Sequence, residues 1–415
     1  MRIVIVAVGS RGDVAPYTGL GLRLREAGHD VAIAAHAPFA DYVRSTGLGF
    51  SPLPMDLRAE LDSREGWRVL RRSPLALARF ARMYAEHATA MAEATAAAAE
   101  DAELLMLSAM GWMGLHVAEG MGIPSMGVFL QPMDATAEFP PSLVTTRSLG
   151  GWGNAAAARV LRTLGQRPFR SAVRALRARY GLPDIAPGEL FRRLEESGWP
   201  NCYGFSPAVV PRPADWPPGS EVVGYWWPAA EPGWRPPSEL ADFLAAGPPP
   251  VFVGFGSMTA EDGAELGAAV AGALRRAGVR GVVQAGWAGL AAEAGDDVIA
   301  VGEVPHGWLF PRMAAVVHHA GAGTTAAALR AGVPAVPVPA AADQPFWADR
   351  ITRIGVSPGP VPFRRVTAER LGEAVRAAVT ERRYREQAGR LADIIATEDG
   401  AGSVLRVVDA LASRT

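Results

Sequence analysis

Short apolar runs, each followed by a turn and a segment with helical periodicity, occur in two separate stretches of this chain. In the first stretch, residues 3–8 and 31–35 have the composition of strands buried on both faces, and residues 16–27 between them have helical spacing. The same alternation restarts with a predicted strand at residues 251–255 and ends in helices near the C-terminus. Strands that alternate with helices form parallel sheets, so we predict an α/β fold with two Rossmann-like domains.

Proline and tryptophan mark the predicted boundary between these domains. Eleven prolines and four tryptophans lie between residues 210 and 250 of the 415-residue chain. Because proline neither continues a helix nor donates to a sheet, this composition indicates an extended linker. We predict an N-terminal domain over residues 1–210, a linker over 211–250 and a C-terminal domain over 251–415. Ligands bind beyond the carboxyl ends of such strands, so two facing domains predict an enzyme with one substrate on each domain.

The composition excludes several classes of protein. All 41 basic residues are arginine, which rules out Schiff-base chemistry and a lysine-containing P-loop. The formal net charge of -1 gives no field that would attract nucleic acid. A single cysteine, Cys202, permits neither an internal disulfide nor a cysteine zinc site, and it fits the reducing cytoplasm, where we expect the protein. No apolar run reaches the roughly 18–20 residues that a membrane-spanning helix needs.

The segment from His318 to Pro334 reads HHAGAGTTAAALRAGVP and carries the strongest local signal. A strand is predicted to end at the two histidines, and a helix to open at Thr324. Small residues let a phosphate approach the backbone, and the free N–H groups of a helix N-terminus attract its negative charge. We predict a diphosphate site in which His319 and Thr324 donate hydrogen bonds, with His318 in a structural role. An ordinary capped turn remains the alternative for the glycines and threonine alone.

Other polar residues follow predicted strands of the same domain. Ser257 is a candidate contact to the same diphosphate, although a tight turn explains it equally well. His306 is a candidate for closing over the base or a phosphate of a nucleotide. Asp343 and Gln344 place a carboxylate beside an amide after an apolar run, a pair suited to binding adjacent sugar hydroxyls. The competing interpretation makes Asp343 a helix N-cap.

The turn after the first predicted strand reads GSRGD, from Gly9 to Asp13, and lacks the GxGxxG spacing of dinucleotide-binding folds. Asp13 either caps the helix that contains Pro16 or takes the proton from an acceptor hydroxyl. A carboxylate is a weak base for an alcohol, so such a proton transfer must be concerted with bond formation. Ser10 and Arg11 lie beside Asp13 and are candidates for contacts with the donor.

Several segments together resemble a known family. GSRGDV near the N-terminus, and VPHGWLFP, HHAGAGTTAAALRAGVP and DQPFWADR in the C-terminal third, resemble the family-1 nucleotide-sugar glycosyltransferases of the GT-B fold. The most similar groups are the sterol glucosyltransferases and the actinobacterial enzymes that glycosylate antibiotic aglycones. The resemblance extends over nearly the whole chain. It implies two Rossmann-like domains facing across a cleft, with the C-terminal helix packing back toward the N-terminal domain.

The resemblance also implies an inverting transfer by direct displacement. Asp13 stands where the plant branch has a histidine, so it is expected to remove the proton as the acceptor oxygen attacks the anomeric carbon, while the helix N-terminus and His319 hold the departing diphosphate. No pair of metal-binding carboxylates is evident, so we expect neither a metal nor a cofactor beyond the co-substrate, for which UDP-glucose is favoured. The implied donor-binding residues are Ser10, Arg11, Ser257, Val304, His306, His319, Ala322, Gly323, Thr324, Asp343 and Gln344.

One position departs from the family pattern. The plant-type signature has a glutamate for the ribose hydroxyls, and the matching residue here is Ala327. Ribose recognition is therefore expected from other groups, and the choice between uridine and thymidine diphosphate sugars stays open.

Acceptor recognition is expected in the N-terminal domain. As a set, the apolar and amphipathic candidates there favour a rigid lipophilic acceptor such as a sterol, a polyketide or a macrocycle, although each one also suits a core position. The arginine-rich stretch over residues 68–82 fits either weak contact with an anionic membrane or an ordinary solvated helix face. The candidates are Trp67, Met83, Met110, Trp112, Gln131, Met133, Phe139 and Trp152.

Several functions remain in competition. A sterol acceptor is favoured by the TTAAALRAG and DQPFW segments, and the nearest alternative is an antibiotic aglycone that receives its sugar from a UDP- or TDP-sugar. A nucleotide-sugar 2-epimerase would share the donor site but not a large apolar pocket. A non-catalytic partner of another glycosyltransferase would be free to lose these motifs, whereas Asp13, His319, Asp343 and Gln344 are all present.

Overall fold

A computed structural model describes residues 1–55, 76–231, 233–256, 263–284 and 296–413. Its backbone divides into two compact units. The first comprises Met1–Pro232 together with Asp399–Thr415, and the second comprises Gly233–Glu398. Each unit is built on a parallel sheet covered by helices, which confirms the predicted α/β class.

The first unit contains a seven-stranded sheet in the order β3-β2-β1-β4-β5-β6-β7. Its strands are β1 (Arg2–Val6), β2 (Asp30–His36), β3 (Gly49–Leu53), β4 (Leu104–Leu107), β5 (Ser125–Phe129), β6 (Asn201–Tyr203) and β7 (Ser220–Val222). Its described helices are α1 (Arg11–Glu26), α2 (Ala40–Ser45), α3 (Ala76–Glu86), α4 (Ala88–Ala98), α5 (Gly114–Met121), α6 (Gly151–Gln166), α7 (Arg170–Arg179), α8 (Glu189–Ser197) and α16 (Gly400–Ala412).

Strands β1 and β4 form the centre of this sheet. Ile3 lies opposite Leu104 and Val6 opposite Leu107, in parallel register. All four side chains are at most 1% exposed, because helices cover both faces of the sheet. Continuous apolar runs are therefore required here, and this is why the sequence pattern located both strands. Because the chain order reverses between β1 and β4, their carboxyl ends form a topological switch point, where such sheets bind ligands.

The C-terminal helix belongs to the first unit. Val404 and Val408 of α16 lie in the same apolar core as Ile3 and Val14. The helix begins very close to the segment that follows β7. A Cβ at Gly400 would lie 2.5 Å from the carbonyl oxygen of Gly224. The expectation that the last helix packs on the N-terminal domain is thus confirmed.

The second unit contains a five-stranded sheet in the order β10-β9-β8-β11-β12. Its strands are β8 (Val251–Gly254), β9 (Gly281–Gln284), β10 (Val298–Val301), β11 (Ala315–His318) and β12 (Ala335–Pro337). Its described helices are α9 (Ser238–Ala245), α10 (Gly263–Ala277), α11 (His306–Leu309), α12 (Ala322–Arg330), α13 (Gln344–Arg353), α14 (Ala368–Thr380) and α15 (Arg382–Ala396). The chain order reverses between β8 and β11, so this sheet too has a switch point at its carboxyl edge.

The segment expected to be an extended linker is largely part of folded structure. Residues 220–222 form β7, which pairs in parallel with β6. Trp216 and Trp226 are 4% and 3% exposed, and α9 starts at Ser238. Proline predicted the absence of long regular elements correctly. However, Trp216 and Trp226 are buried, and burial of such large apolar surface fixes the first part of this segment, up to Pro232, on the first unit.

Two helix boundaries also differ from the prediction. Helix α1 begins at Arg11, five residues before the predicted start, because Ser10 rather than Asp13 is its N-cap residue. Pro16 is therefore inside the helix, where its missing N–H leaves the carbonyl of Gly12 without its usual helical donor. The helix predicted over residues 67–99 is described only from Ala76 onward, as α3 and α4. No helix within the described ranges has both the length and the hydropathy needed to cross a bilayer.

Candidate active site

Asp13 lies in the first turn of α1, directly beyond the carboxyl end of β1. Its Oδ2 atom accepts hydrogen bonds from the backbone N–H of Ser10 at 2.8 Å and from the Ser10 hydroxyl at 2.9 Å. The carboxylate therefore reaches back to the N-cap residue, as the third helical residue of a capping box does. The side chain is half-buried. Asp13 is thus held rigidly at the switch point of the first sheet.

The surroundings of Asp13 change its acidity. Burial raises the pKa of Asp13 above its ordinary value, and the two hydrogen bonds from Ser10 oppose that rise. Burial and the charge of Asp13 raise the pKa of Tyr17 well above its usual range. Gly9 has a φ of 142°, and a Cβ there would lie 2.6 Å from the Cβ of Asp13, so only glycine fits this turn. The result is a preorganised carboxylate with a raised proton affinity, which suits a general base.

Arg11 has partners within its own unit. Its Nη2 donates to Oε1 of Glu231 at 2.7 Å, and its guanidinium lies 4.8 Å from the centre of the Tyr42 ring. These contacts occupy the side chain that was predicted to touch the donor. A donor contact through Arg11 stays a prediction, and it would compete with Glu231.

His319 follows β11 in the second unit, between two glycines. A Cβ on Gly256 would lie 2.9 Å from its Cε1 atom, and a Cβ on Gly321 would overlap its Nε2 atom. Its Nδ1 atom is buried and has no hydrogen-bond partner within the part of the chain that the structure describes. Burial lowers the pKa of His319 to about 4, so the imidazole is neutral at pH 7. The glycines leave room for the imidazole ring, and its Nδ1 atom lacks a hydrogen-bond partner among the described residues.

The N-terminus of α12 supplies N–H groups beside His319. Thr325 is the first residue to bond within the helix, to the carbonyl of Gly321 at 2.9 Å. The N–H groups of Ala322, Gly323 and Thr324 therefore have no intrahelical acceptor and carry the positive end of the helix dipole. A helix N-terminus thus follows His319, two residues earlier than predicted, and binding of a diphosphate there stays a prediction.

His318 has a different environment from His319. It is fully buried, and its Nδ1 accepts from the N–H of Ala320 at 3.1 Å. Burial and the neighbouring histidines lower its pKa to about 3. The bond to Ala320 shapes the turn before α12, in agreement with the structural role expected for His318.

Backbone strain is concentrated beside the candidate donor residues. Among the described residues, the non-glycine residues with positive φ are Ala320, at 63°, and Ala342, at 55°. Ala320 follows His319 directly, and Ala342 precedes Asp343. Such conformations cost of order 1–3 kcal/mol and cluster at functional sites. No sequence signal marks them, because glycine or asparagine is the usual residue there.

Asp343 and Gln344 begin α13, and both side chains contact their own segment. Oδ2 of Asp343 accepts from the buried indole N–H of Trp347 at 2.7 Å. Oε1 of Gln344 accepts from the N–H groups of Ala340 and Ala341 at 2.8 and 3.2 Å. Asp343 is the N-cap residue of α13, as the competing interpretation held, but its side chain forms no cap hydrogen bond. The contacts of Asp343 and Gln344 to a sugar stay predictions.

Val304 and His306 lie before and at the start of α11. Val304 is buried in the core, and His306 stacks on Phe310 with ring centres 4.3 Å apart. Ala327 on α12 packs against the same core. Stacking fixes the plane of the His306 ring, and its predicted role toward a nucleotide stays a prediction.

Most described acceptor candidates pack inside the first unit. Met83, Met110 and Trp112 contact one core cluster, and the Trp112 ring meets Phe169 edge-on at 5.2 Å. Phe139 is 9% exposed and packs against Trp216. Gln131 and Met133 are half-buried, as are Met83, Met110 and Trp112, whereas Trp152 is 87% exposed. Trp67 and Ser257 lie outside the described residues.

Asp134 was not among the residues predicted from the sequence. One of its carboxylate oxygens accepts from the Ser220 hydroxyl at 2.6 Å, the Tyr203 hydroxyl at 2.9 Å and the Asn201 amide at 3.2 Å. It thereby ties the loop that carries Met133 to β6 and β7. Its place after β5 was the available signal, because polar residues at that edge of a parallel sheet commonly serve the site.

Metal ligands are not gathered in the described part of either unit. No three histidine, cysteine, aspartate or glutamate side chains lie close enough together there to hold a metal ion.

Two family models match parts of this chain. Residues 3–140 match the glycosyltransferase family 28 N-terminal domain, and residues 282–411 match the erythromycin biosynthesis protein CIII-like C-terminal domain. The fold is that of the glycosyltransferase VinC, whose crystal structure was determined in complex with dTDP. The TM-score is 0.69 at 19% identity, with 100% of both chains covered.

Two curated relatives are similar at the sequence level. A sterol 3-beta-glucosyltransferase of Arabidopsis thaliana is 33% identical over 97% of this chain, which spans only 64% of that protein. The O-mycaminosyltylonolide 6-deoxyallosyltransferase of Streptomyces fradiae is 36% identical over 99% of this chain and 97% of the relative. The chain belongs to the glycosyltransferases of the GT-B fold, within the group that contains sterol and antibiotic glycosyltransferases.

Proposed function

We propose that this protein transfers a hexose from a nucleotide diphosphate sugar to a hydroxyl of a lipophilic acceptor, with inversion at the anomeric carbon. UDP-glucose is the favoured donor and a sterol or sterol-like alcohol the favoured acceptor. The observation that carries the proposal is the pairing of a neutral His319 with the free N–H groups of α12. Together they offer donors and a helix dipole to a diphosphate without a lysine.

Asp13 is the proposed base. Its raised pKa favours taking a proton, and both hydrogen bonds from Ser10 hold the carboxylate in place through its Oδ2 atom. As the acceptor oxygen attacks the anomeric carbon, its proton passes to Asp13, and the bond to the diphosphate breaks with its electron pair. The developing charge on the diphosphate is stabilised by the N–H groups of Ala322 to Thr324 and by His319. This stabilisation of the charge on the diphosphate makes no use of a metal ion, so we propose a metal-independent reaction.

A second candidate has support of its own. The Streptomyces fradiae relative is named for the transfer of a 6-deoxyallosyl group to O-mycaminosyltylonolide, and it matches over nearly its whole length. VinC was crystallised with dTDP rather than with a uridine nucleotide. Glycosylation of an antibiotic aglycone from a UDP- or TDP-sugar is therefore the alternative, with the same roles for Asp13 and His319.

The test is a transfer assay read by mass. The protein is incubated with UDP-glucose or dTDP-glucose and a panel of sterols and macrolide or polyketide aglycones, with magnesium or with EDTA. We expect one sugar-sized mass gain that EDTA does not abolish, and a β-glycoside from the α-linked donor. Product on macrolides alone would favour the alternative, and an α-glycoside would refute inversion.

Asp13→Asn is the matched variant for the base. It should lose more than about a hundredfold in kcat, in the range expected for general-base catalysis, and retain nucleotide binding by calorimetry. Asp41→Asn, at an exposed carboxylate in the first turn of α2, is the control and should behave as wild type. Normal turnover by Asp13→Asn would remove Asp13 from the mechanism. If neither UDP nor dTDP bound the wild type, the diphosphate site itself would be refuted.

A further inference from the structure

Helix α6 exposes an apolar stripe to solvent. Trp152, Val160 and Leu164 are 87%, 55% and 44% exposed. At 3.6 residues per turn, their separations of 8 and 4 residues place them within an arc of about 120° on one half of the helix surface. Val144 and Leu149, in the segment before the helix, are 57% and 56% exposed. Five of the six exposed large apolar side chains among the described residues thus lie between residues 144 and 164.

The opposite side of α6 is anchored by polar contacts. Asn154 is 1% exposed, and its amide donates to the carbonyl of Ala137 at 3.0 Å and to the Ser148 hydroxyl at 3.2 Å. Its carbonyl accepts from the N–H of Leu149 at 2.9 Å. These bonds fix the rotation of the helix, so the outward apolar stripe is a defined surface of the first unit.

Arginine is the only charged residue type in the segment that carries this stripe. Residues 139–183 contain eight arginines and neither aspartate nor glutamate, in a chain whose formal net charge is -1. Carboxylates elsewhere in the unit pair with four of these arginines, namely Arg162, Arg174, Arg177 and Arg179. The other four form no salt bridge with a described carboxylate, and they are Arg147, Arg159, Arg167 and Arg170.

Two of these arginines line a pocket at the end of the stripe. Arg167 and Arg170, with Thr163 and Pro187, surround an open depression of about 470 Å³. Guanidinium groups bind phosphate oxygens in a planar, bidentate way. The pocket is therefore suited to a phosphate monoester or diester at the surface of the unit.

We propose that the stripe on α6 and the adjoining arginine pocket bind an anionic phospholipid bilayer. Apolar side chains interleaved with arginines on one helix face are typical of helices that lie in the headgroup region. Val160 and Leu164 insert at the headgroup–acyl boundary, while Arg167 and Arg170 receive a lipid phosphate. Charge complementarity selects this occupant, because the four arginines without a described carboxylate partner present positive charge to anionic lipids.

The stripe begins at Trp152, one of the predicted acceptor residues. If the proposed function holds, docking would bring the first unit to the phase in which a lipophilic acceptor dissolves. Membrane binding can be measured without catalysis, so a negative result for one proposal leaves the other one standing.

The first experiment is sedimentation of the full chain with vesicles. Vesicles of phosphatidylcholine alone are compared with vesicles that contain equal parts of phosphatidylglycerol, at low and at physiological salt. We expect binding to the anionic vesicles that weakens with salt. Val160→Asp with Leu164→Asp should abolish it, and Arg167→Gln with Arg170→Gln should reduce the partition coefficient at least tenfold.

Matched controls come from the second unit. Ile394→Asp changes a side chain that is 50% exposed on α15, and Arg382→Gln with Arg390→Gln removes the same charge from that helix. Both controls should bind vesicles as wild type does. Equal loss in the controls, equal binding to neutral vesicles, or no binding at all would overturn the proposal.

A fluorescent label tests the orientation directly. The only cysteine of the chain, Cys202, is 1% exposed, so a cysteine introduced at the surface can be labelled selectively. An environment-sensitive dye on Val160→Cys should shift to shorter wavelength when anionic vesicles are added, and the same dye on Ile394→Cys should not. A shift without vesicles, together with a doubled mass in light scattering, would instead assign this face to a second copy of the chain.

Discussion

Ser10 donates two hydrogen bonds to a single carboxylate oxygen of Asp13, at 2.8 Å from its N–H and at 2.9 Å from its hydroxyl. Both bonds favour the charged carboxylate and oppose the burial that raises the pKa of Asp13. The capping hydrogen bonds at the start of α1 therefore also lower the pKa of Asp13, the proposed base.

Ser10→Ala should move the acid limb of the pH profile of kcat/KM to higher pH. Removing the hydroxyl bond raises the pKa of Asp13 further, and the base is active only when deprotonated, so activity is lost earlier as the pH falls. Ser10→Thr keeps the hydroxyl and should retain the wild-type limb. An acid limb that stays in place in Ser10→Ala would show that Asp13 is not the titrating group.

Gly321→Ala should weaken donor binding through His319. Gly321 has ordinary backbone angles, with φ of -65° and ψ of 148°, so alanine is allowed there and its only steric cost is overlap with the imidazole. We expect the KM for the donor to rise about tenfold or more, while the free energy of unfolding changes by less than about 1 kcal/mol.

Gly389→Ala is the matched control for this variant. Gly389 lies within α15, and a Cβ there meets no atom within 4 Å. Alanine should leave turnover unchanged and stabilise the protein by about 0.5–1 kcal/mol. An unchanged donor KM in Gly321→Ala would mean that the position of His319 is not important for binding.

Two substitutions at Asp343 should distinguish a structural role of this residue from a role in sugar binding. Asp343→Ala leaves the buried indole N–H of Trp347 without its acceptor and should cost about 1–3 kcal/mol of stability in thermal or urea unfolding. Asp343→Asn keeps an acceptor for that N–H and should keep most of the stability. If Asp343 also binds sugar hydroxyls, as the sequence predicts, Asp343→Asn should still lose activity at least tenfold. Full activity in Asp343→Asn would confine the residue to its structural contact.

Arg177 should contribute far more to stability than Arg174 on the same helix. Arg177 is 1% exposed, and it donates to Glu119, to Nδ1 of His116 and to the carbonyl of Pro183. Arg174→Gln breaks only an exposed pair with Asp184 and should change stability little, because water screens such a pair. Because Glu119 is itself partly exposed, we expect Arg177→Gln to cost about 2–3 kcal/mol in urea unfolding. Equal losses in the two variants would contradict this assignment.

Much of the sheet structure could be predicted from the sequence. Strands β4, β9, β11 and β12 have the predicted bounds, because strands buried on both faces must be short apolar runs. The turn from His319 into α12 was also recognisable, since small residues at a strand end and a helix start are a local pattern. Local patterns depend on neighbouring residues, and a sequence displays those directly.

Other features depend on residues that are distant along the chain. The pairing of Arg11 with Glu231, the burial of Trp226 beside Tyr17, and the position of α16 join segments separated by hundreds of residues. The room for His319 between Gly256 and Gly321 likewise requires β8 to lie beside β11. The sequence by itself determined the fold class, the central strands and the candidate residues. Only tertiary packing decided which of these side chains meet, because contact between distant segments is selected by burial of the whole core rather than by any local pattern.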